Sequence, residues 1–463
     1  MLGLSEHGKA VFRSLLSPIG VGVSMPPANG RKVSLYPILL VNFIGTLGYS
    51  IVIPFLVVLV TRLGGNALIY GLLNATYSFF QLLVAPVLGR WSDTYGRRKI
   101  LLLSQLGTLI AWGVFLLALY LPIIRLFEVR STFLGTFAIS LPLLVLFMAR
   151  VLDGATGGNV SVANAYLADI TVAEDRNANF GKMGVSSNLG FIIGPALAGI
   201  LGATRLAEAL PVLAALLISL VAVFLIMFGL PESSPCVIQE QLEQPNVRKV
   251  FGQEQIDCYR IEAPVEQQPG FREIMTLKNV PYFLSLYFLI FLGFNFFYAA
   301  FPILAVQDWG WSITQVGIFF SVLSFLMILV QGPVLKGVAS IVPEGWLTVI
   351  GSCLLGTGFI VLMFPNEILV YAGAALFAAG NGVMWPSYLS LLSKVGEGKY
   401  QGAIQGFASG AGSLASIVGL ILGGILYDRL GAATLLGSAF ISYLVAFLSL
   451  SLLRIERDLQ RSR

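Results

Sequence analysis

The sequence predicts an all-α integral membrane protein of many spans arranged as two similar halves, and three observations predict it. Of 463 residues, 57% are hydrophobic and only 11% charged, less than half the roughly 25% charge of a soluble domain. Apolar stretches long enough to cross ~30 Å of hydrocarbon, about 20 residues each, occur twelve times along the chain. A long polar segment divides them six and six.

The expected spans are 35–61, 68–88, 100–121, 139–167, 181–204 and 209–230, then 279–305, 313–335, 346–364, 368–391, 402–426 and 431–453. Lys and Arg collect in the cytoplasmic loops of membrane proteins. With a cytoplasmic N-terminus, the segments on that side hold 22 of the 28 basic residues. The opposite loops hold five, namely Arg62, Arg125, Arg130, Arg205 and Arg429, and Arg150 lies inside a span. Both termini are therefore expected in the cytoplasm. The net charge of +5 follows from this sorting and calls for no nucleic-acid partner.

Residues 1–33 read as a cytoplasmic tail, 34–230 as a first six-helix bundle, 231–278 as a linker, 279–455 as a second bundle and 456–463 as a short C-terminal tail. The linker carries EQLEQ, GQEQ and EQQPG, too polar for a core, and is expected to be partly disordered or to carry a short surface helix. In the N-terminal tail AVFRSLL has the pattern of a short amphipathic surface helix. That tail lacks the apolar core and cleavage site of a signal peptide. The two bundles echo each other. Gly158-Asn159 with Tyr166-Leu167 recurs as Gly380-Asn381 with Tyr388-Leu389, and Gly181, Gly194 and Gly199 recur as Gly406, Gly419 and Gly424. Two pseudo-symmetric six-helix repeats are the plan of a secondary transporter, with its substrate site between them.

Composition removes other chemistries. The one His is His7, in the tail, so triads and His-ligated metals are excluded. There is no GxxxxGK[ST] loop to hold nucleotide phosphates. Cys236, Cys258 and Cys353 are odd in number and form no CxxC pair, which argues against a disulfide framework. No enzyme activity, metal or cofactor is expected.

The first expected cytoplasmic loop reads Gly89-Arg90-Trp91-Ser92-Asp93-Thr94-Tyr95-Gly96-Arg97-Arg98-Lys99. Orientation bias accounts for the basic run but not for the glycine spacing or the lone Asp93. This loop resembles the G-x-x-x-D-x-x-G-R-[RK] loop of the major facilitator superfamily, and the resemblance extends over nearly the whole chain. Arg150-x-x-x-Gly154 resembles a second family motif. Gly181-x8-Gly190-x3-Gly194-Pro195-x2-Ala198-Gly199 resembles the antiporter motif of drug/proton exchangers, with Ala198 in place of a usual Gly. Leu230-Pro231-Glu232-Ser233 fits the twelve-span tetracycline and multidrug exporter branch. The corresponding loop of the second half, Gly332-Pro333-Val334-Leu335-Lys336, keeps only one base. The resemblance implies the major facilitator fold, alternating access, a location in the cell (cytoplasmic) membrane and a monomer. It also implies a gating loop of Gly89, Arg90, Asp93, Gly96, Arg97 and Arg98, in which Asp93 caps a second-half helix, expected to be span eleven. Glycines three or four apart leave a flat helix face for close packing, and Pro195 removes a donor and allows a bend.

Only one carboxylate, Asp153, and one base, Arg150, fall deep within a span. Three residues apart, they share a helix face. Burying either charge in lipid is costly, so that face should meet the bundle interior or an aqueous cavity. Asp153 with Arg150 is the expected proton-coupling pair, with a permanent structural ion pair as the alternative. Spans one, four, seven and ten carry Asn42, Tyr49, Asn159, Asn164, Asn295, Phe297, Tyr298, Asn381 and Trp385. Of these, Asn42, Tyr49, Asn159, Asn295, Phe297, Asn381 and Trp385 are the expected substrate contacts. Rings with scattered amides suit an amphipathic, aromatic or cationic ligand. The expected function is proton-coupled export of small amphipathic or drug-like molecules, the partners being that substrate, protons and the lipid bilayer. Transport of one specific metabolite, sugar or lipid is the alternative. A membrane receptor or scaffold docking through 231–278 is a third reading.

Overall fold

The computed structural model describes residues 34–131, 135–157, 159–171, 176–204, 206, 208–232, 247–250, 253–256, 271–395 and 401–461. The AVFRSLL segment lies outside them. Residues from Leu35 onward form one compact unit.

The first span is two helices, α1 (Tyr36–Ser50) and α2 (Ile53–Arg62). Pro54 enters the first turn of α2, where its missing N–H interrupts the ladder. Asn66 then caps α3 (Ala67–Tyr95), its side chain accepting from the Ile69 N–H at 3.1 Å. Gly96, at φ +99°, turns the chain directly into α4 (Arg97–Tyr120), a conformation that glycine adopts without steric cost. The next connection is an antiparallel hairpin, β1 (Arg125–Ser131) with β2 (Gly135–Ser140). Its alternating Leu, Phe, Val and Ile are strand-formers too short a run to register as a span.

The fourth expected span, 139–167, is α5 (Leu141–Thr156) followed by α6 (Asn159–Asp169). Gly157 ends α5, since glycine favours departure from a helix. Then come α7 (Arg176–Gly202), with Pro195 inside it, and α8 (Ala209–Phe224). In the linker, where a disordered stretch or a short helix was expected, Val247–Val250 (β3) pairs antiparallel with Gln253–Ile256 (β4). The short α9 (Phe271–Thr276) precedes the second half. That half comprises α10 (Val280–Ile303), α11 (Ile313–Leu329), α12 (Leu335–Val338), α13 (Glu344–Val361), α14 (Glu367–Val395), α15 (Gln401–Leu430), α16 (Thr434–Ser449) and α17 (Leu452–Arg461).

Ten stretches among the described residues are long and apolar enough to cross a membrane. One of them, Gly406–Asp458, runs through α15, α16 and α17. The chain is a multi-pass, all-α membrane protein. Its turns gather at two faces. At the upper face Arg62 pairs with Glu208 at 2.9 Å, the Ala138 N–H donates to Gly64 O at 2.8 Å and the Ser140 hydroxyl to Leu63 O at 3.0 Å. At the lower face Arg97 pairs with Asp169 at 3.0 Å and Lys394 with Glu344 at 2.5 Å.

The duplication is legible in side-chain chemistry. After α8, the Glu232 carboxylate accepts from the Arg98 N–H at 3.2 Å, at the start of α4. In the second half Glu456 of α17 accepts from the Glu344 and Gly345 N–H groups, at 3.1 and 2.9 Å, at the start of α13. The first amides of a helix lack internal partners, and a carboxylate there also meets the positive end of the helix dipole. Each half thus ties its sixth span to its third by the same device. The second half is further filled by a ring cluster in which Phe297 meets Phe301, Phe359 and Phe377 at centroid distances of 5.2, 5.4 and 5.1 Å.

Candidate functional site

The halves meet along two seams. In one, α3 crosses α15 where Gly71 lies against the Leu420 carbonyl and Gly424 against Ala67 O, 2.6 Å from where a Cβ would stand. In the other, α7 crosses α11. A Cβ on Gly199 would come within 3.3 Å of Thr314 Cα, and one on Gly317 within 2.5 Å of Pro195 O. Thr314 donates to Gly199 O at 2.8 Å and Ser321 to Ile192 O at 3.1 Å. Lower on this seam the Asn188 amide donates to Gln331 at 2.8 Å. With no hydrophobic force between helices in lipid, such backbone approach and hydrogen bonding are what join them.

The antiporter-motif residues sort onto both faces of α7. Gly194 abuts the Ser50 hydroxyl, and Gly190 would place a Cβ 2.8 Å from Leu47 N, so both glycines seat α1. Gly199 and Pro195 turn to α11 across the seam. At Gly181 the surroundings lie outside the described residues. In the gating loop Gly96 makes the tight turn, Arg98 donates to Ile226 O and Met227 O at 3.2 and 2.6 Å, and Arg97 holds Ser92 at 2.6 Å as well as Asp169. Gly89 has open space around it. Arg97 and Arg98 therefore brace the lower ends of the first half. The side chains of Arg90 and Asp93 lie outside the described residues.

Arg150 is buried and Asp153 largely so between α4 and α5, Nη1 to Oδ2 3.6 Å. Thr108 lies beside the Asp153 carboxylate, and the Arg150 guanidinium sits 5.9 Å from the centroid of the Phe115 ring. The buried Arg150 Nε has no hydrogen-bond partner. Beside the pair is a cavity of about 10 Å³ lined by Ala111, Trp112, Phe115 and Ala149, enough for about one water. At 3.6 Å the ion pair is a loose one by hydrogen-bond standards. Small rearrangements would separate the charges.

Toward the centre of the molecule, Tyr49, Tyr70 and Tyr77 lie within electrostatic reach of this pair. Tyr49 is 44% exposed although it is near the middle of the first span. Its ring meets Tyr77 at 5.6 Å and Phe191 at 6.2 Å, and Tyr298 of the second half is within electrostatic reach of it. Rings of α1, α3 and α7 thus form an aromatic patch. Trp385 joins Tyr287, Phe291 and Tyr388 at 5.2, 5.4 and 6.0 Å. Tyr77, Phe191, Tyr287 and Phe291 were not among the residues expected from sequence. For Tyr287 and Phe291 the signal is their helical spacing, i to i+4.

The other expected contacts are placed apart. Asn42 donates to Met183 O at 3.2 Å and to the Ser187 hydroxyl at 2.8 Å, tying α1 to α7. Asn295 donates to Phe291 O at 2.7 Å and to Ser416 at 3.0 Å. Phe297 is fully buried in the ring cluster. Asn381 meets the Met327 sulfur at 3.8 Å and leaves its buried Oδ1 without a partner. The Asn159 side chain lies outside the described residues.

The Major Facilitator Superfamily model matches residues 38–254 and 283–463. The chain belongs to the major facilitator superfamily. Among the relatives of this major facilitator protein is the class C tetracycline resistance protein of Escherichia coli, 28% identical over 80% of this chain and 83% of the relative. Multidrug resistance protein 1 of Bacillus subtilis is 25% identical over 86% of this chain and 91% of the relative. The D-xylose-proton symporter structure superposes with a TM-score of 0.68 at 12% identity, over 90% of this chain and 96% of that one. The human organic anion transporter MFSD10 (TETRAN) does so at 0.62 and 21%, over 92% of this chain and all of that one. Both share the major facilitator fold.

Proposed function

We propose that this major facilitator protein is a proton-driven exporter of small amphipathic, ring-bearing molecules, working by alternating access. Its membrane is the cytoplasmic one, it crosses twelve times with both termini in the cytoplasm, and its upper face is the outer one. The observation that carries the reading is the juxtaposition of the loose, buried Arg150–Asp153 pair with an aromatic patch led by the exposed Tyr49. The tetracycline and multidrug resistance relatives support the substrate class.

In this reading the seams close the outer mouth and the substrate reaches Tyr49, Tyr77, Phe191 and Tyr298 from the cytoplasm. Ring faces bind apolar bodies and attract cations, by about 0.5–2 kcal/mol per contact. A proton arriving on Asp153 neutralises its carboxylate and leaves Arg150 a lone buried charge, which is costly unless it finds a new partner or water. That rearrangement, felt by the tyrosines beside it, is the step that couples proton entry to substrate exit. Asn381 Oδ1 and the Asn188–Gln331 amide bridge favour a second reading, a hydroxylated metabolite as substrate.

The test is uptake in inside-out membrane vesicles. Energised vesicles should accumulate tetracycline or a lipophilic cation, and a protonophore should abolish it. Energised uptake of sugars but of no amphipathic compound would move the substrate to the second class.

A further inference from the structure

At the upper end of the α3/α15 seam the Asp428 carboxylate of the second half accepts hydrogen bonds from the first two amides of α3, Ala67 N–H at 3.3 Å and Leu68 N–H at 3.2 Å. Asn66 takes the third, that of Ile69. The opening turn of a first-half helix is therefore satisfied largely by a carboxylate from the other half, placed at the positive end of the helix dipole. The approach depends on Gly424, one turn earlier on α15, whose missing side chain admits Ala67 O and Leu68 Cα, and on Gly71 facing it. Gly135 of the hairpin closes over the same point, with a Cβ position 2.9 Å from Asn66 Nδ2 and 3.6 Å from Asp428 Oδ2. Below the carboxylate, the Tyr427 hydroxyl donates to Asp308 at 3.0 Å and fixes the end of α15 against the end of the α10 span.

The residues that build this junction read Gly424-Ile425-Leu426-Tyr427-Asp428-Arg429-Leu430-Gly431. The glycine, aspartate and glycine have the spacing of Gly89, Asp93 and Gly96. Both runs close a long helix with a glycine in the left-handed region, Gly96 at φ +99° and Gly431 at φ +54°. One copy ends α3 at the lower face and the other ends α15 at the upper face, on the two helices that cross each other.

We propose that Asp428 is the latch of the upper mouth: its carboxylate, capping α3 across the seam, holds the upper face shut and must release before that face opens. Among the described residues, the contacts that hold the α7/α11 seam at the same level are the uncharged ones of Thr314 with Gly199 and Ser321 with Ile192, whereas α3/α15 carries the Asp428 carboxylate. The proposal rests on the alternating-access reading and assigns its upper gate. Opening leaves the Ala67 and Leu68 amides to water entering the mouth and the carboxylate hydrated, which is why the latch can release at moderate cost.

The test uses the full chain in lipid nanodiscs with Cys236, Cys258 and Cys353 changed to Ser. Spin labels at Leu206→Cys and Leu430→Cys report the upper face, and at Lys99→Cys and Lys336→Cys the lower face. Distances are measured by pulsed electron resonance at acid and alkaline pH. Without substitution at Asp428, each pair should show two populations that exchange reciprocally. Asp428→Ala should raise the open-to-closed ratio of the upper pair about five- to thirty-fold, a strong cap's worth, and shift the lower pair the opposite way. Asp428→Asn, which keeps an acceptor without the charge, should fall between, and it carries the test where the alanine variant does not fold. Reciprocal exchange in the parent protein with ratios unchanged by both variants would overturn the latch alone. A single population on both faces under all conditions would overturn the latch together with alternating access.

Discussion

Two residues of the first span divide the roles that a polar or aromatic side chain can take in a bundle. Asn42 spends its donors on Met183 O and Ser187, whereas Tyr49 is left 44% exposed beside Tyr77 and Phe191. Tyr49→Ala should therefore weaken binding of a ring-bearing cation by about 5- to 30-fold, the value of a good ring contact, with Tyr49→Phe near the parent. Asn42→Ala should leave affinity within about two-fold and cost about 0.5–1.5 kcal/mol of stability, a typical hydrogen-bond value. Ligand titration and thermal unfolding of the same purified samples separate the two. The sequence named both residues because both were unusual in an apolar span. It could not rank them, since whether an amide finds a partner on the neighbouring helix depends on helix rotation. In spans apolar all round, hydropathy leaves that rotation unmarked. The same gap hid Tyr77 and Phe191. Asp153 and Arg150 were legible, because a charge inside a span is conspicuous wherever it points.

At the scale of elements, the glycines of α7 seat two different partners. Gly190 and Gly194 admit α1, and Gly199 admits α11 of the other half. Gly199→Leu places a four-carbon side chain where a Cβ alone would stand 3.3 Å from Thr314 Cα. Overpacking of this kind costs about 1–3 kcal/mol, and in the proposed alternating-access cycle the cost falls on the state with the upper mouth closed. Transport should drop at least tenfold while thermal unfolding changes little; a melting loss matching the transport loss would place Gly199 in the fold of the half rather than in the gate. The antiporter motif was readable as a packing surface from its spacing. Its division between partners was not, because glycine spacing shows that something comes close without saying what. The fourth expected span is two helices, the first ending at Gly157 within an otherwise continuous apolar run. The Arg125–Ser140 hairpin went unread for the opposite reason, being made of ordinary strand-formers in a connection too short to register as a span. The corresponding loop of the second half, after the eighth span, keeps only one base, Lys336, while the glycine–aspartate–glycine spacing recurs at the end of α15, on the helix that crosses α3.

For the whole molecule, the two-fold plan was the most legible feature, since duplication and hydropathy both act over the full length. Glu232 and Glu456 repeat one helix cap in the two halves, and the seams between the halves are glycine against backbone at the upper level. What the sequence left open was which state the two halves adopt and which side chains meet between them, because contacts between repeats depend on their relative tilt rather than on any local pattern. That tilt is what alternating access changes, and the proposed coupling of it to protons runs through a single carboxylate.

The most direct test is transport in proteoliposomes with an imposed pH gradient, comparing the parent protein with Asp153→Asn and using a lipophilic cation and tetracycline as substrates. The account predicts that the gradient drives uphill accumulation in the parent, and that the variant loses this accumulation yet keeps counterflow exchange at comparable rates. Gradient-driven accumulation that survives in Asp153→Asn would contradict it, making the Arg150–Asp153 pair a structural tie and placing any proton coupling on another group.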